Sequence, residues 1–240
     1  MPPNTIPTRI ALIQERITRA EQRFDREPGS VRLLAVSKKK PAAAIRTAYD
    51  AGQRAFGENY AQEATDKIKD LAGIIDIRDA EWHFIGPIQS NKTRLIANHF
   101  AWVHSVERLS IAERLSGQRP PDLPPLAVCL QVNVSQESSK SGLCVSTGLE
   151  KLSELALAVA ELPRLHLRGL MTIPAPSQEF TAQRQPFRVL REALNELNAK
   201  GLTLDTLSMG MSDDLEAAIA EGATIVRIGT AIFGARDSAL

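Results

Sequence analysis

Cysteine is scarce in this chain, with only Cys129 and Cys144 in 240 residues. Two thiols cannot staple a small secreted scaffold, so a reducing compartment, the cytosol, is the expected location. No cysteine pair has metal-ligand spacing, and His83, His99, His104 and His166 form no His-Glu-x-x-His set, which leaves no zinc site to expect. An excess of one charge is also missing. Twenty-nine Lys and Arg against 28 Asp and Glu give a net charge of +1, and that makes no electrostatic case for nucleic acid or acidic membrane. Met1–Phe24 mixes charges of both signs among its apolar residues, so it reads as neither a signal peptide nor a membrane span. Internal repeats and low-complexity tracts are absent as well.

What is present suits a folded core: 43% of residues are hydrophobic and 24% charged. Ile10, Ile13, Ile17, Ala20 and Phe24 recur at helical spacing and predict an N-terminal amphipathic helix over residues 1–28, ended by Pro28-Gly29. Short apolar runs then alternate with helical patterns. The expected strands are Leu33–Val36, Ala55–Glu58, Trp82–Gly86, Trp102–Ser105, Leu126–Val134, Leu165–Met171, Thr206–Ser208 and Ile225–Ile228. Cys129 lies inside the fifth and is expected to be a buried small hydrophobe. Ser212 is placed to cap the helix that follows the seventh. Eight such units without a dividing linker point to an α/β fold, a single (β/α)8 barrel over residues 31–236, in a chain close to the roughly 250 residues typical of that fold. An open doubly wound sheet is the other arrangement of the same pattern.

Chemistry in such a barrel sits at the C-terminal ends of the strands, with a phosphate site frequently built after the seventh and eighth. Two glycine-bearing segments, Ser208–Asp214 and Arg227–Gly234, fall there, making Ser208, Gly210, Gly229 and Thr230 the candidate phosphate ligands. Taken singly, Gly210 or Gly229 is equally well explained as a tight strand-to-helix turn. Lys38 ends the first apolar run. Three lysines in a row, Lys38 to Lys40, suit a solvated basic turn. On the catalytic face, facing an anion site and beside two other cations, Lys38 also suits an amine that condenses with a carbonyl. A phosphorylated aldehyde would satisfy both ends of that site.

Ala35–Pro41, Phe56–Tyr60, Trp82–Gly86, Ser139–Gly142, Gly169–Thr172, Ser208–Asp214 and Arg227–Gly234 together resemble the YggS/PROSC family of pyridoxal 5′-phosphate (PLP) homeostasis proteins. These are similar in fold to the N-terminal barrel of alanine racemase. The resemblance spans nearly the whole chain. It implies that Lys38 carries PLP as an internal aldimine, that Ser208, Gly229 and Thr230 contact its phosphate, and that Arg227 stands near the pyridine nitrogen. Asn59 and Met209 are expected to line the pocket. His83 is either a pocket residue or a hydrogen-bonded barrel histidine beside Trp82. The resemblance gives Lys140 a role in handing PLP on. Position 39 departs from the family, which commonly has threonine where Lys39 stands.

The implied function is PLP buffering or delivery, with PLP-dependent apo-enzymes as recipients and no catalysis of its own. An active PLP enzyme such as an amino-acid racemase is the alternative. A racemase needs an acid/base group on each face of the substrate carbon. In the resembling racemases the second comes from a further C-terminal domain and its dimer partner, for which this chain has no counterpart. Tyr49 falls within the first barrel helix and Tyr60 on the functional face. A third reading is a lysine Schiff-base enzyme acting on a phosphorylated metabolite without PLP. A barrel closed within one chain, without an apolar surface stripe, is expected to be a monomer.

Overall fold

The computed structural model describes residues 4–72, 79–134, 142–144 and 149–235. Lys140 therefore lies outside the described residues. Eight parallel strands close into a barrel: β1 (Arg32–Val36), β2 (Ala55–Glu58), β3 (Glu81–Phe84), β4 (Trp102–Val106), β5 (Leu126–Asn133), β7 (Leu165–Met171), β8 (Thr206–Ser208) and β9 (Ile225–Ile228). Neighbours in that order are hydrogen-bonded. The β1–β9 pairing, with Ala35 opposite Ile228, joins the first and last strands. A two-residue strand, β6 (Leu143–Cys144), extends β5 beside Val132 and Asn133.

The strands read as almost unbroken apolar runs because both faces are covered, one by the barrel interior and one by helices. Their period-two alternation sorts the side chains. Leu34, Ala55, Trp102, Ala127, Cys129, Met171 and Ile225 pack together as one cluster within the barrel. Residues of opposite parity, such as Leu33, Phe56, Val103, Val128 and Val226, join the larger core beneath the helices. Burial pushes the Cys129 thiol up to about 12, so it behaves as the neutral small hydrophobe expected.

Helices α1 (Ile6–Arg23), α2 (Ala42–Asp50), α3 (Ala61–Ala72), α4 (Thr93–His99), α5 (Leu109–Gln118), α6 (Leu149–Ala160), α7 (Phe180–Ala199), α8 (Leu215–Ala220) and α9 (Thr230–Phe233) complete the fold. Helix α1 precedes the barrel and packs its Ile10, Ile13, Ile17 and Ala20 face against α8, α9 and α2. It stops at Arg23, short of Pro28. Asp25 adopts φ +52°, and the Glu21 carboxylate accepts the Gly29 and Val31 N–H groups, folding the connection back under the helix. Two further expectations are corrected. Strand β3 covers Glu81–Phe84, leaving Gly86 in the loop beyond. Helix α8 is preceded by Asp214, not Ser212, because Asp214 turns its carboxylate back to the Met211 N–H at 2.6 Å and spends residues 211–214 on a turn.

Candidate functional site

At the C-terminal ends of the strands opens a cavity of about 580 Å³. Its walls come from the ends of six strands. Val36 ends β1 and Lys38 follows it, Asn59 and Ile85 follow β2 and β3, and Ile173 follows β7. The rest come from the β8 loop (Met211, Ser212, Asp213) and from β9 and its turn (Arg227, Gly229, Thr230, Ala231). Because β1 and β9 are paired, Lys38 and the Gly229 turn stand on adjacent strand ends. A Cβ on Gly229 would lie 3.3 Å from the Val36 carbonyl, so glycine lets these two strand ends stay close.

The turn carrying Lys38 is clamped from both sides. The Ser37 hydroxyl donates to Glu58 Oε1 at 2.7 Å, and its carbonyl accepts from Lys67 Nζ at 2.9 Å. The Lys39 N–H donates to Glu63 Oε1 at 2.6 Å, with Lys39 held at φ +58°. Lys67 Nζ ties these acceptors together, 2.9 Å from Glu58 and 2.6 Å from Glu63. Glu58 is fully buried. Its desolvation raises the carboxyl pKa against the opposing pull of Lys67 and Ser37. Glu63 and Lys67 lie one helical turn apart on α3, so one helix face supplies the clamp. The two lysines after Lys38 turn elsewhere. The Lys39 ammonium lies 5.8 Å from the Tyr60 ring centroid, and Lys40 Nζ donates to the Ala235 carbonyl.

Arg227 forms part of the cavity wall while remaining 5% exposed. Its Nη1 donates to Ser208 Oγ and its Nη2 to the Thr172 carbonyl, both at 2.8 Å. Burial lowers its pKa to about 10, opposed by Asp214, so the guanidinium keeps its charge at neutral pH. Behind it the polar contacts continue into the barrel. Ser208 Oγ lies 2.7 Å from His104 Nδ1, and His104 Nε2 lies 2.8 Å from His83 Nδ1. His83 Nε2 lies 2.7 Å from Glu81 Oε1, which also accepts from Arg32. Burial lowers the pKa of both histidines, His104 most strongly because His83 and Arg227 add to the effect.

Of the candidate residues, Lys38, Asn59, Arg227, Gly229 and Thr230 border the one cavity. Ser208 does not: its hydroxyl is taken by Arg227 and His104 beneath the cavity wall. Gly210 serves the turn instead, at φ +96° with its carbonyl accepting from the Arg227 N–H. A Cβ there would meet that of Ala218 at 2.6 Å. Met209 is fully buried in the core beneath the helices, and Met211 lines the cavity in its place. Alternation explains the correction, since Ser208 faces the interior and its neighbours in sequence face outward. His83 is the hydrogen-bonded barrel histidine, stacked on Trp102 at 5.4 Å between ring centroids. Glu58, Lys67, His104 and Thr172 went unpredicted; each is a polar residue in or next to an apolar pattern, and inward strand parity would have singled out His104.

Asn59 Oδ1 is buried without a hydrogen-bond partner among the described residues. Its backbone is pressed against Gly86, where a Cβ would fall 2.2 Å from the Asn59 carbonyl oxygen. Among the described residues no group of three metal-ligating side chains exists. The arrangement therefore offers an amine, a buried fixed cation and a glycine-bordered strand end around one small-molecule cavity.

Comparison with known proteins agrees with this arrangement. The model of the alanine racemase N-terminal domain matches residues 9–237. The pyridoxal phosphate homeostasis protein of Pseudomonas aeruginosa is 63% identical over 98% of this chain and 97% of its own length. That of Escherichia coli is 56% identical over 98% of both. Among solved structures, PipY of Synechococcus elongatus with PLP bound superposes with a TM-score of 0.82 at 38% identity, covering 96% of this chain and all of PipY. With likeness of this extent over nearly the whole chain, it belongs to the alanine racemase N-terminal domain family, among its pyridoxal phosphate homeostasis proteins.

Proposed function

We propose that this protein binds PLP in the strand-end cavity and serves intracellular PLP homeostasis as a carrier that holds and releases it. One observation carries the reading: Lys38, Arg227 and the Gly229 turn border a single cavity of about 580 Å³, within the usual range for a small-molecule site. The unpartnered Asn59 Oδ1 on its wall fits a polar ligand that completes it. The near relatives are named for PLP homeostasis, and the PipY relative was solved with PLP.

When bound, PLP supplies an aldehyde that condenses with a primary amine, and a phosphate that needs a cradle. Lys38 supplies the amine on a turn fixed by Lys67 and Glu63. Gly229 and Thr230, with Ser212 from the neighbouring loop, are the residues to which the phosphate is assigned. Arg227 is assigned to the pyridine nitrogen. A guanidinium held charged there cannot take up a proton, so it keeps that nitrogen unprotonated and weakens PLP as an electron sink. That suits storage better than catalysis. A racemase would need a second acid/base group at the site. Tyr60 is half-exposed beneath the Lys39 ammonium and is not part of the cavity wall.

The wider reading assigns the protein to the cytosol as a monomer that passes PLP to apo-enzymes, with Lys140 in the handover. No described helix is long and apolar enough to cross a membrane. Loading the protein with PLP and mixing it with an apo-enzyme tests the carrier role. Activity should appear in the recipient as the visible band of the carrier declines. A loaded protein that racemises or decarboxylates L-amino acids, and transfers nothing, would reverse the assignment. Lys140→Ala should slow transfer without changing loading.

A further inference from the structure

The contacts behind Arg227 form one continuous hydrogen-bonded series from the cavity wall to the starts of the strands, where Glu81 and Arg32 are the first residues of β3 and β1. Elementary chemistry fixes its direction. Arg227 has donors only, so Ser208 Oγ accepts from Nη1. The single Ser208 proton is then available to His104 Nδ1, the neighbour at 2.7 Å. With Nδ1 accepting, neutral His104 carries its proton on Nε2 and donates it to His83 Nδ1. His83 in turn carries its proton on Nε2 and donates to Glu81, an ionised carboxylate that also accepts from Arg32. In this direction every donor meets an acceptor. In the reverse direction a lone pair of His83 would face carboxylate lone pairs at 2.7 Å.

We propose that Glu81, His83 and His104 are positioning residues for Arg227, and that the carboxylate at the far end of the barrel sets which way the Ser208 hydroxyl points. None of the three borders the cavity, and Glu81 acts through four hydrogen bonds in series: to His83, to His104, to Ser208 and to Arg227. Without the Glu81 acceptor the histidine pair is free to reverse. His83 then donates from Nδ1 and His104 from Nδ1, so Ser208 Oγ receives two donors and its own proton must turn elsewhere. Arg227 then competes for an oxygen it otherwise holds alone, and its guanidinium shifts within the cavity wall. Arg32 is half-exposed, so removing Glu81 strands no buried charge.

Two readouts on the full-length protein test this. The first needs no ligand: two-bond 15N–1H correlation spectra report the tautomer of each histidine, with His99→Gln and His166→Gln supplying assignments. Wild-type His83 and His104 should both be neutral with the proton on Nε2. In Glu81→Ala the His104 proton should move to Nδ1, and in Glu81→Gln, whose carbonyl still accepts, it should stay on Nε2. The second readout rests on the PLP reading. Glu81→Ala should weaken PLP binding roughly three- to tenfold and move the absorption band of bound PLP, while Glu81→Gln restores both. A His104 that already carries its proton on Nδ1 in the wild type, or a Glu81→Ala protein with unchanged tautomers and unchanged PLP affinity, overturns the inference. A wild type that gains no visible band with PLP instead defeats the PLP reading, and the tautomers alone then decide.

Discussion

The cost of placing charge beneath a barrel mouth decides what individual residues do here. Lys67 is 9% exposed and is shared by two carboxylates, one of them fully buried. Replacing it with methionine strands Glu58, and a broken buried pair costs about 3 kcal/mol. Lys67→Met should lower the urea midpoint accordingly, and adding Glu58→Gln should recover part of the loss, since Gln needs no cation. Equal stability of single and double variants would show that the pair is not coupled. Glu81 gives a pH signature. Its carboxyl sits in a half-buried site, yet His83 and Arg32 hold it down at about 2, below the ordinary 4.5. A carboxyl with a lowered folded pKa stabilises fully above its unfolded pKa and loses that contribution as pH falls towards the folded one. The gap in unfolding free energy between wild type and Glu81→Gln should therefore be about 1–2 kcal/mol near neutrality, after allowing for solvent screening. It should close between pH 4.5 and about 2. A gap that persists at the acid end would mean packing, not charge, separates the two proteins. At this scale the sequence was legible where chemistry rested on residue type. Lysine after a strand, arginine before a glycine turn and asparagine after β2 all border the cavity. It was illegible where direction mattered, as with Met209, placed in the pocket on likeness while its strand parity turns it outward.

Secondary-structure elements were the most readable level, because strands covered on both faces announce themselves as apolar runs. Ala55–Glu58, Leu165–Met171, Thr206–Ser208 and Ile225–Ile228 are bounded as expected. Errors gather where a polar side chain competes for the backbone. Strand β3 begins one residue early because Glu81 pairs with Arg54 through its N–H and with Arg32 through its carboxylate. The start of α8 moved from Ser212 to beyond Asp214 for a similar reason, since the Asp214 carboxylate closes the loop on the Met211 N–H. Strand β6 has two residues and α9 four, too short for any periodicity to register. The β8 loop makes a further prediction. Met211, Ser212 and Asp213 form one wall of the cavity, and the Asp214 carboxylate is what folds them there. Asp214→Ala should cost about 2 kcal/mol of stability, the scale of one hydrogen bond to a charged group, and should weaken PLP binding measurably in an equilibrium titration. Wild-type affinity in a destabilised Asp214→Ala protein would detach this loop from the site.

For the molecule as a whole, closure does the functional work. Pairing β1 with β9 brings residue 38 beside residue 229, which the sequence separates by most of its length. The barrel could be inferred from eight alternating units, but the adjacency of those two strand ends follows only from closure, so the lysine and the glycine turn were expected to face each other and instead stand side by side. The shared cavity that results is the centre of the functional account, and reductive trapping tests it most directly. The protein is mixed with PLP, its absorption recorded, then treated with borohydride and mapped by peptide mass spectrometry, with Lys38→Ala alongside. A visible band that borohydride removes, with the pyridoxyl mass on the peptide containing Lys38 and no such band in Lys38→Ala, is the expected result. A protein that stays colourless with PLP, or label spread over surface lysines equally in both proteins, would contradict the account.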